Sequence, residues 1–197
     1  MRYAFKVAAV IVMHGVTWPF ALPARFGYRM GGSERAFDFS AKLLSLAPGR
    51  LGQLLRASFY MQTLDRCHYD LSVGFGSFFS HPCAEVGRRV GIGSFSIIGM
   101  VRLGDDVMIA SRVSVLSGKY QHGDGRHGLA RAPRFRRVHI GAGTWLGEGS
   151  LVMDDVGRGC IVAGGSVVTK AMPDGTTAIG NPARFLHHRE QGEAAAV

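Results

Sequence analysis

The apolar residues of this 197-residue chain follow two different periods, which divide the chain into two parts. Residues 1–69 show the 3.6-residue spacing that is typical of helices, and a longer period begins at about residue 70. Near the start, Arg2 and Lys6 precede the apolar run Val7–Met13, and Pro19 interrupts the apolar stretch that follows. A membrane-spanning helix needs about 20 mostly apolar residues. The pattern therefore predicts a helix that packs on a neighbour or rests on a membrane surface.

Two further helices are predicted before residue 70. Ser33 can cap the start of the first, which carries an apolar stripe at Phe37, Ala41 and Leu44. Pro48-Gly49 breaks that helix. The second helix carries an apolar stripe at Leu51, Leu54, Leu55 and Phe59. We expect both stripes to pack in the core or against another subunit.

A six-residue repeat occupies the rest of the chain. Its aliphatic positions are Ile92, Ile98, Leu103, Ile109, Val115, Ile140, Leu146, Val152, Val156, Val162 and Val168. Four residues after an aliphatic position comes a small or β-branched residue, as at Ser96, Val107, Val113, Thr144, Ser150, Cys160 and Ser166. This period fits neither a helix nor an array of hairpins, and it predicts a three-sided parallel β-helix with one hexapeptide on each side.

In such a β-helix the aliphatic residues point into a narrow prism and stack on their copies above and below. Glycine at the corners tolerates the backbone angles of the turn. The register slips between Ile98 and Leu103 and between Val152 and Val156, where we expect a shortened corner.

Residues 119–137 contain no hexapeptide pattern. A structureless segment of this length is uncommon inside a compact domain and is often functional. It contains two histidines, His122 and His127, and the arginines Arg126, Arg131, Arg134, Arg136 and Arg137.

The composition limits the classes of binding partner that the protein is expected to have. The net charge of +9 and the pI of about 10.1 fit nucleic acid, an anionic membrane or a phosphate-bearing ligand. No nucleic-acid-binding motif is present, so we expect no nucleic-acid partner. The cysteines Cys67, Cys83 and Cys160 are widely spaced and include no CxxC pair. They predict neither a disulfide framework nor a metal site and suit a reducing cytoplasm.

The stretches VHIGAGTWLGEGSLVM and VGRGCIVAGGSVVTKAMPDGTTAIGNPAR closely resemble the C-terminal coils of hexapeptide-repeat acyltransferases. These include maltose and galactoside, xenobiotic and polysaccharide O-acetyltransferases. The resemblance covers about residues 70–185 and, together with the helical pattern of residues 1–69, it predicts an all-β domain with a helical N-terminal extension. That domain would be a left-handed parallel β-helix with an extruded active-site loop, an exception to the right-handed rule for parallel crossovers. Residues 186–197 are expected to form a flexible tail.

The resemblance also implies a homotrimer with active sites between subunits, acetyl-CoA as co-substrate and no metal. A histidine of the extruded loop is the general base in the family, and in the segment SGKYQHG the matching residue is His122. The segment GFGSFFSHP is similar to an acceptor-side coil, so His81 is a predicted substrate-binding residue.

Six residues match coenzyme A positions of the family: Trp145, Gly147, Gly164, Thr169, Lys170 and Arg184. The two glycines would let the pantetheine lie close to the backbone, and the tryptophan would line the slot. Thr169 and Lys170 would meet the nucleotide end, and Arg184 is placed for a phosphate, which a planar guanidinium suits.

The predicted reaction is direct acyl transfer in a ternary complex. His122 would take the proton of an acceptor hydroxyl, because the ordinary histidine pKa of about 6.5 lies near the working pH. Glu148, Asp124 or a backbone carbonyl would hold its tautomer. His127 is the main competing histidine.

Other functions compete with this interpretation. A γ-type carbonic anhydrase shares the fold but needs three zinc-binding histidines, and a non-catalytic β-helix could serve as a scaffold. Among enzymes, the basic and apolar N-terminal region favours a sugar acceptor in exopolysaccharide, capsule or lipopolysaccharide assembly. Such an enzyme would be cytoplasmic and associated with the inner membrane face. Serine or an antibiotic hydroxyl would need the same chemistry.

Overall fold

The computed structural model describes residues 2–119 and 134–187. Three helices come first: α1 (Arg2–Gly31), α2 (Arg35–Ser45) and α3 (Gly49–Thr63). Short strands follow, and the first of them begins at Arg66, a few residues before the expected change of period. The helices cover the first turn of a β-helix that contains the rest of the described chain.

Helix α2 has the predicted apolar face. Phe37, Ala41 and Leu44 are all buried. The helix ends at Ser45, and α3 begins at Gly49 directly after Pro48, so the Pro-Gly pair separates the two helices as expected. Glu34, rather than Ser33, immediately precedes α2, and no side chain caps that end.

The face predicted for α3 is wrong in part. Leu51 is 59% exposed, whereas Arg56 is buried. The Arg56 guanidinium donates hydrogen bonds of 2.7–3.2 Å to four main-chain oxygens, those of Leu44, Ser45, Ala47 and Val73. The last carbonyls of a helix have no partner within the helix. Arg56 satisfies those at the end of α2 and joins them to the first coil.

An aromatic cluster connects the helices with the β-helix. It contains Phe37, Phe59, Tyr60 and Phe79, with neighbouring ring centroids 4.8–6.4 Å apart. The Tyr60 hydroxyl accepts a 3.2 Å hydrogen bond from the Phe79 N–H, and burial raises the pKa of this phenol. The cluster fixes the helices against the first coil, since aromatic pairs favour defined geometries.

The β-helix consists of about five turns. The first coil contains β1 (Arg66–Cys67), β2 (Ser72–Val73) and β3 (Phe78–Phe79). The second contains β4 (Glu85–Val86), β5 (Gly91–Ile92) and β6 (Ile97–Ile98). The third contains β7 (Val101–Leu103), β8 (Met108–Ile109) and β9 (Ser114–Val115). The fourth contains β10 (Val138–Ile140), β11 (Trp145–Leu146) and β12 (Leu151–Val152). The fifth contains an isolated bridge at Val156, then β13 (Ile161–Val162) and β14 (Val167–Val168). After a bridge at Met172, β15 (Thr176–Ile179) and β16 (Arg184–His187) close the structure.

Each coil contributes one strand to each of three sheets. Sheet A has the order β1-β4-β7-β10, and the bridges at Val156 and Met172 continue it. Sheet B has the order β2-β5-β8-β11-β13-β15-β16, and sheet C the order β3-β6-β9-β12-β14. The pairing is parallel except between β15 and β16. Successive coils therefore stack in register, as the repeat predicts.

The predicted interior of the prism is confirmed. The aliphatic positions from Ile92 to Val168 are buried, with at most 4% exposure, and the small or β-branched positions between them are buried as well. Register pairs such as Ile98 with Val115 and Leu146 with Val162 place equivalent residues directly above one another. Successive aliphatic positions of the repeat thus fall on successive sheets, and each stacks on its counterpart one coil away.

Fewer corners of the β-helix contain glycine than the repeat predicts. The later coils use it in left-handed conformation, as at Gly149 (φ 67°) and Gly165 (φ 68°). The earlier coils place Arg89, Phe95, Asp106 and Arg112 at equivalent positions with φ of 52–59°. A left-handed backbone is unfavourable for side chains with a Cβ. Stacking on neighbouring coils holds these four residues there.

Candidate active site

Two edges of the prism contain the residues that the sequence singles out. At the corner between sheets C and A, the described chain is interrupted between Lys119 and Arg134, and we call this corner the loop edge. His81 lies on it in the first coil, Asp154 in the fourth and Thr169 in the fifth. Neighbouring coils are about 4.8 Å apart. The loop edge from His81 to Thr169 therefore spans four coil spacings, or about 19 Å.

His81 is held by a carboxylate from the helical region. Its Nδ1 lies 2.7 Å from Oε2 of Glu34, the residue that precedes α2. Only 15% of the His81 side chain is exposed, and its ring lies 4.8 Å from that of Phe135, centroid to centroid. A carboxylate at Nδ1 favours the tautomer whose Nε2 can accept a proton. The loop edge thus contains an oriented histidine directly beside the segment that returns to the β-helix.

The described residues on either side of residues 120–133 contact the fourth and fifth coils. Lys119 Nζ lies 3.1 Å from Asp154 and 3.4 Å from the Thr169 main-chain oxygen. Arg136 contacts Asp154 at 2.6 Å and Asp155 at 2.9 Å. Burial alone would raise the pKa of Asp154, but hydrogen bonds from the Asp155 N–H and from Lys119 outweigh it and lower that pKa. Asp154 therefore stays ionised and pairs with both Lys119 and Arg136.

The chain that re-enters the β-helix just before β10 also contacts the first two coils. Arg137 contacts Asp65 at 2.8 Å and pairs with Glu85, which in turn holds Arg102 at 2.8 Å. The hydrogen bond from Arg102 lowers the pKa of Glu85 against a smaller opposing effect of burial. The residues on either side of residues 120–133 thus make ion pairs or hydrogen bonds with four of the coils.

His122, His127 and Asp124 lie outside the described residues, so the predicted role of His122 stays a prediction. Glu148, one of the groups considered for orienting it, forms an ion pair with Arg112 of the third coil. Its carboxylate lies at the corner between sheets B and C, not on the loop edge.

The predicted coenzyme A residues divide between two edges. Trp145 is on the outer side of β11 in sheet B, 47% exposed, and Gly147 and Gly164 lie at the next corner, between sheets B and C. We call this corner the glycine edge. Arg184 is exposed on β16, where it pairs with Ile179 at the end of β15 that adjoins the glycine edge. These four residues are on one side of the molecule.

Thr169 and Lys170 lie instead on the loop edge, where Lys170 is exposed. Sheet C separates them from the glycine edge. Six residues at about 3.3 Å each give a prism side of up to about 20 Å. A single chain therefore does not bring all six predicted residues around one narrow slot.

Position 147 requires glycine for a structural reason that is independent of any ligand. A Cβ at this position would lie 2.6 Å from the Gly164 nitrogen and from the Val162 oxygen of the next coil. Stacking of the fourth and fifth coils thus requires glycine here. At Gly164 a Cβ would approach the Glu148 oxygen only to 3.2 Å, so that position is less restricted.

No family model matches the chain. Among curated proteins, the serine acetyltransferase of Escherichia coli (strain K12) is 36% identical over 108 residues, which are 54% of this chain and 37% of that protein. The chain thus spans little more than a third of the length of this relative. Among solved structures, a maltose O-acetyltransferase from Clostridium difficile 630 has a TM-score of 0.66 and 22% identity, covering 80% of this chain and 87% of the other. A galactoside acetyltransferase in complex with coenzyme A has a TM-score of 0.58 and 17% identity, covering 81% and 88%.

The chain has the left-handed β-helix fold of the hexapeptide-repeat acetyltransferases. The fold predicted from the six-residue period and from the family resemblance is therefore confirmed. In the hexapeptide-repeat frame, residues 119–137 interrupt the repeat between the third and fourth coils. Within the described part of the chain, no three His, Cys, Asp or Glu side chains are grouped to hold a metal ion.

Two features of the candidate site were not predicted from the sequence. Glu34 is 47 residues from His81 and precedes a helix, so no local spacing connects them. Phe135 belongs to a segment with no periodic pattern. A weak signal was present, because Glu34 is one of only two acidic residues between Met1 and Ser45.

Proposed function

We propose that this protein transfers an acetyl group from acetyl-CoA to a hydroxyl. The observation that carries the proposal is the oriented histidine: His81, held by Glu34, lies on the loop edge of a hexapeptide-repeat β-helix, with its ring against that of Phe135. The names of the similar proteins, serine acetyltransferase and maltose O-acetyltransferase, support acetyl transfer to oxygen. A fold alone would not, since one fold hosts many activities.

In the proposed reaction, His81 Nε2 accepts the proton of the acceptor hydroxyl as its oxygen attacks the thioester carbonyl. The tetrahedral intermediate collapses to the acetyl ester, the C–S bond breaks, and the thiolate of coenzyme A takes up the proton from the imidazolium. Glu34 stabilises the imidazolium from the Nδ1 side and keeps the ring in place. Backbone N–H groups at the coil edge would stabilise the oxyanion.

His122 is the second candidate for the base, because the segment SGKYQHG resembles the family's catalytic loop. The described ends of that segment, at Lys119 and Arg134, both adjoin the loop edge. His81 and His122 would exchange the roles of general base and acceptor-binding residue between these two versions of the mechanism. With His122 as base, His81 would hold the acceptor hydroxyl.

The division of the predicted donor residues supports a site between subunits. Thr169 and Lys170 are separated from Trp145 and Arg184 by the width of sheet C. In a homotrimer the loop edge of one subunit could face the glycine edge of the next, which would bring both sets to one coenzyme A. Lys170 and Arg184 are both exposed cations and suit its phosphates.

For the acceptor we propose a sugar hydroxyl in surface-glycan assembly at the cytoplasmic face of the inner membrane. The support is the long apolar helix α1 with its basic residues, which fits work near lipid-linked substrates. Free serine is the alternative, and the 36% identity to serine acetyltransferase favours it.

The test has two stages. Isothermal titration of acetyl-CoA into the wild type should show micromolar binding, which the pair Lys170→Ala and Arg184→Ala should weaken sharply, while Arg50→Ala on α3 serves as a matched control. Release of coenzyme A thiol is then followed with sugars, nucleotide sugars and serine as acceptors. No binding of acetyl-CoA would contradict acyl transfer, and rapid acetylation of serine without any sugar acceptor would replace the sugar by serine.

A further inference from the structure

Helix α1 has a continuous apolar face that no described residue covers. Seven large apolar side chains on it are 50–74% exposed: Ile11, Val12, Val16, Trp18, Leu22, Phe26 and Met30. We call them the apolar face of α1. At 1.5 Å per residue they extend over about 28 Å. Single exposed apolar residues are ordinary, but a contiguous apolar patch of this length indicates an interaction surface.

The opposite side of α1 is fixed to the protein. Val10, Ala21 and Ala24 are buried, and Thr17 is buried between them. Thr17 Oγ1 lies 2.9 Å from Ser58 Oγ of α3 and accepts a 2.7 Å hydrogen bond from Gln62. Because a buried polar contact is lost if the helix rolls, the apolar face is held outward.

The charges around this face have one sign. Residues 2–31 contain Arg2, Lys6, Arg25 and Arg29 and no aspartate or glutamate. Arg25 and Arg29 are exposed near the end of the helix, within one or two turns of Phe26 and Met30. Among the described residues, no helix combines the length and apolar character that crossing a membrane requires.

We infer that α1 docks the protein on an anionic lipid surface, with its axis parallel to the membrane plane. The apolar face enters the boundary between headgroups and acyl chains, and Arg25 and Arg29 contact anionic headgroups. Trp18 lies in the middle of the face, and tryptophan is favoured at this depth of a bilayer. The one-sided charge selects anionic lipid over a second copy of this helix, since two such faces would bring like charges together.

Docking also turns a defined part of the enzyme to the membrane. Residues 32 and 33 connect the end of α1 to Glu34, which holds His81 in place. The end of the apolar face at Met30 is thus within a few residues of the candidate active site. An acceptor carried by a lipid would meet the loop edge close to the surface.

The experiment measures flotation of the full-length protein with phosphatidylcholine vesicles that contain or lack phosphatidylglycerol. The wild type should float with the anionic vesicles. Leu22→Asp with Phe26→Asp should weaken binding by at least about tenfold, because two apolar side chains are lost from the buried face. The matched control replaces two exposed apolar residues of the β-helix, Met108→Asp with Ile97→Asp, and should float like the wild type.

Two more measurements separate the alternatives. Arg25→Gln with Arg29→Gln should reduce binding to anionic vesicles by about 25-fold at low salt, since each basic residue near the surface contributes about fivefold. In a Trp145→Phe background, the fluorescence of Trp18 should shift to shorter wavelength on addition of anionic vesicles. Analytical ultracentrifugation without lipid, together with circular dichroism, checks assembly and folding of each variant.

Failure of the wild type to float overturns docking, as does flotation that Leu22→Asp with Phe26→Asp leaves unchanged. If that pair instead dissociates an oligomer in the absence of lipid, a second copy covers the face. None of these readouts uses acetyl-CoA, so docking and acyl transfer can fail independently.

Discussion

The contact between Glu34 and His81 gives a quantitative prediction for Glu34→Gln. In the proposed transition state His81 is becoming an imidazolium, 2.7 Å from the carboxylate oxygen. With charge centres about 4 Å apart and an effective dielectric constant near 20, their attraction is about 4 kcal/mol. The Glu34 side chain is 31% exposed, so solvent reduces the useful part to about 2 kcal/mol. That energy corresponds to about a 30-fold loss in kcat/KM.

The assay is steady-state release of coenzyme A thiol with the best acceptor from the panel. Glutamine keeps the size of the side chain and a hydrogen-bonding oxygen, so folding should be unchanged. The control is Asp38→Asn, which removes an exposed carboxylate on α2 that pairs with Lys42. Its rate should stay within about twofold of the wild type. His81→Asn should lose at least about 100-fold, as removal of a general base does.

Two results would refute the reasoning. If Glu34→Gln retains the wild-type rate although His81→Asn is inactive, the carboxylate does not assist the reaction. If His81→Asn mainly raises KM while His122→Asn abolishes kcat, the base is His122, and His81 binds the acceptor.

Three further predictions concern stability. Gly147→Ala should destabilise the protein by about 2 kcal/mol, because its Cβ would meet the backbone of the next coil; Gly15→Ala, with no atom within 4 Å, should be neutral or slightly stabilising in thermal unfolding. Asp154 has a lowered pKa, so its contribution is present above the unfolded pKa of about 3.9 and is lost as the pH falls through the folded value. Asp154→Asn should therefore be less stable at neutral pH and show a flatter loss of stability below about pH 4 in urea titrations, and an unchanged pH profile would contradict this. Arg56→Met should cost about 3 kcal/mol because four main-chain carbonyls each lose a hydrogen bond from the guanidinium, whereas the exposed Arg50→Met should change stability by less than about 0.5 kcal/mol.

Much of the fold could be predicted because the repeat is a local signal. One aliphatic residue per six, from Ile92 to Val168, allows only a structure in which equivalent positions stack, and the shortened corner before Val156 could be located by the same count. The face of α3 could not be predicted in this way. Arg56 is buried because its guanidinium donates to main-chain carbonyls at and just beyond the end of α2, and no period in the sequence reports those partners.

The candidate site was only partly accessible from the sequence. The motif resemblance singled out His81 and the extruded segment, but the partner of His81 comes from a residue 47 positions away. The six predicted donor residues lie on two edges of the prism, a division that the motifs did not indicate. Sequence motifs report which residues occur together in the chain, and they do not report which corner of a coil each one occupies.

The sequence by itself therefore determined the β-helix, its columns of buried aliphatic residues and the place where the repeat is interrupted, because a fixed period translates directly into a fixed position on each coil. The tertiary structure decided which charges meet. Packing of the helices on the first coil brought Glu34 to His81, turned Arg56 inward and left the apolar face of α1 outward. These contacts depend on how separate elements dock in space, which no local pattern along the chain specifies.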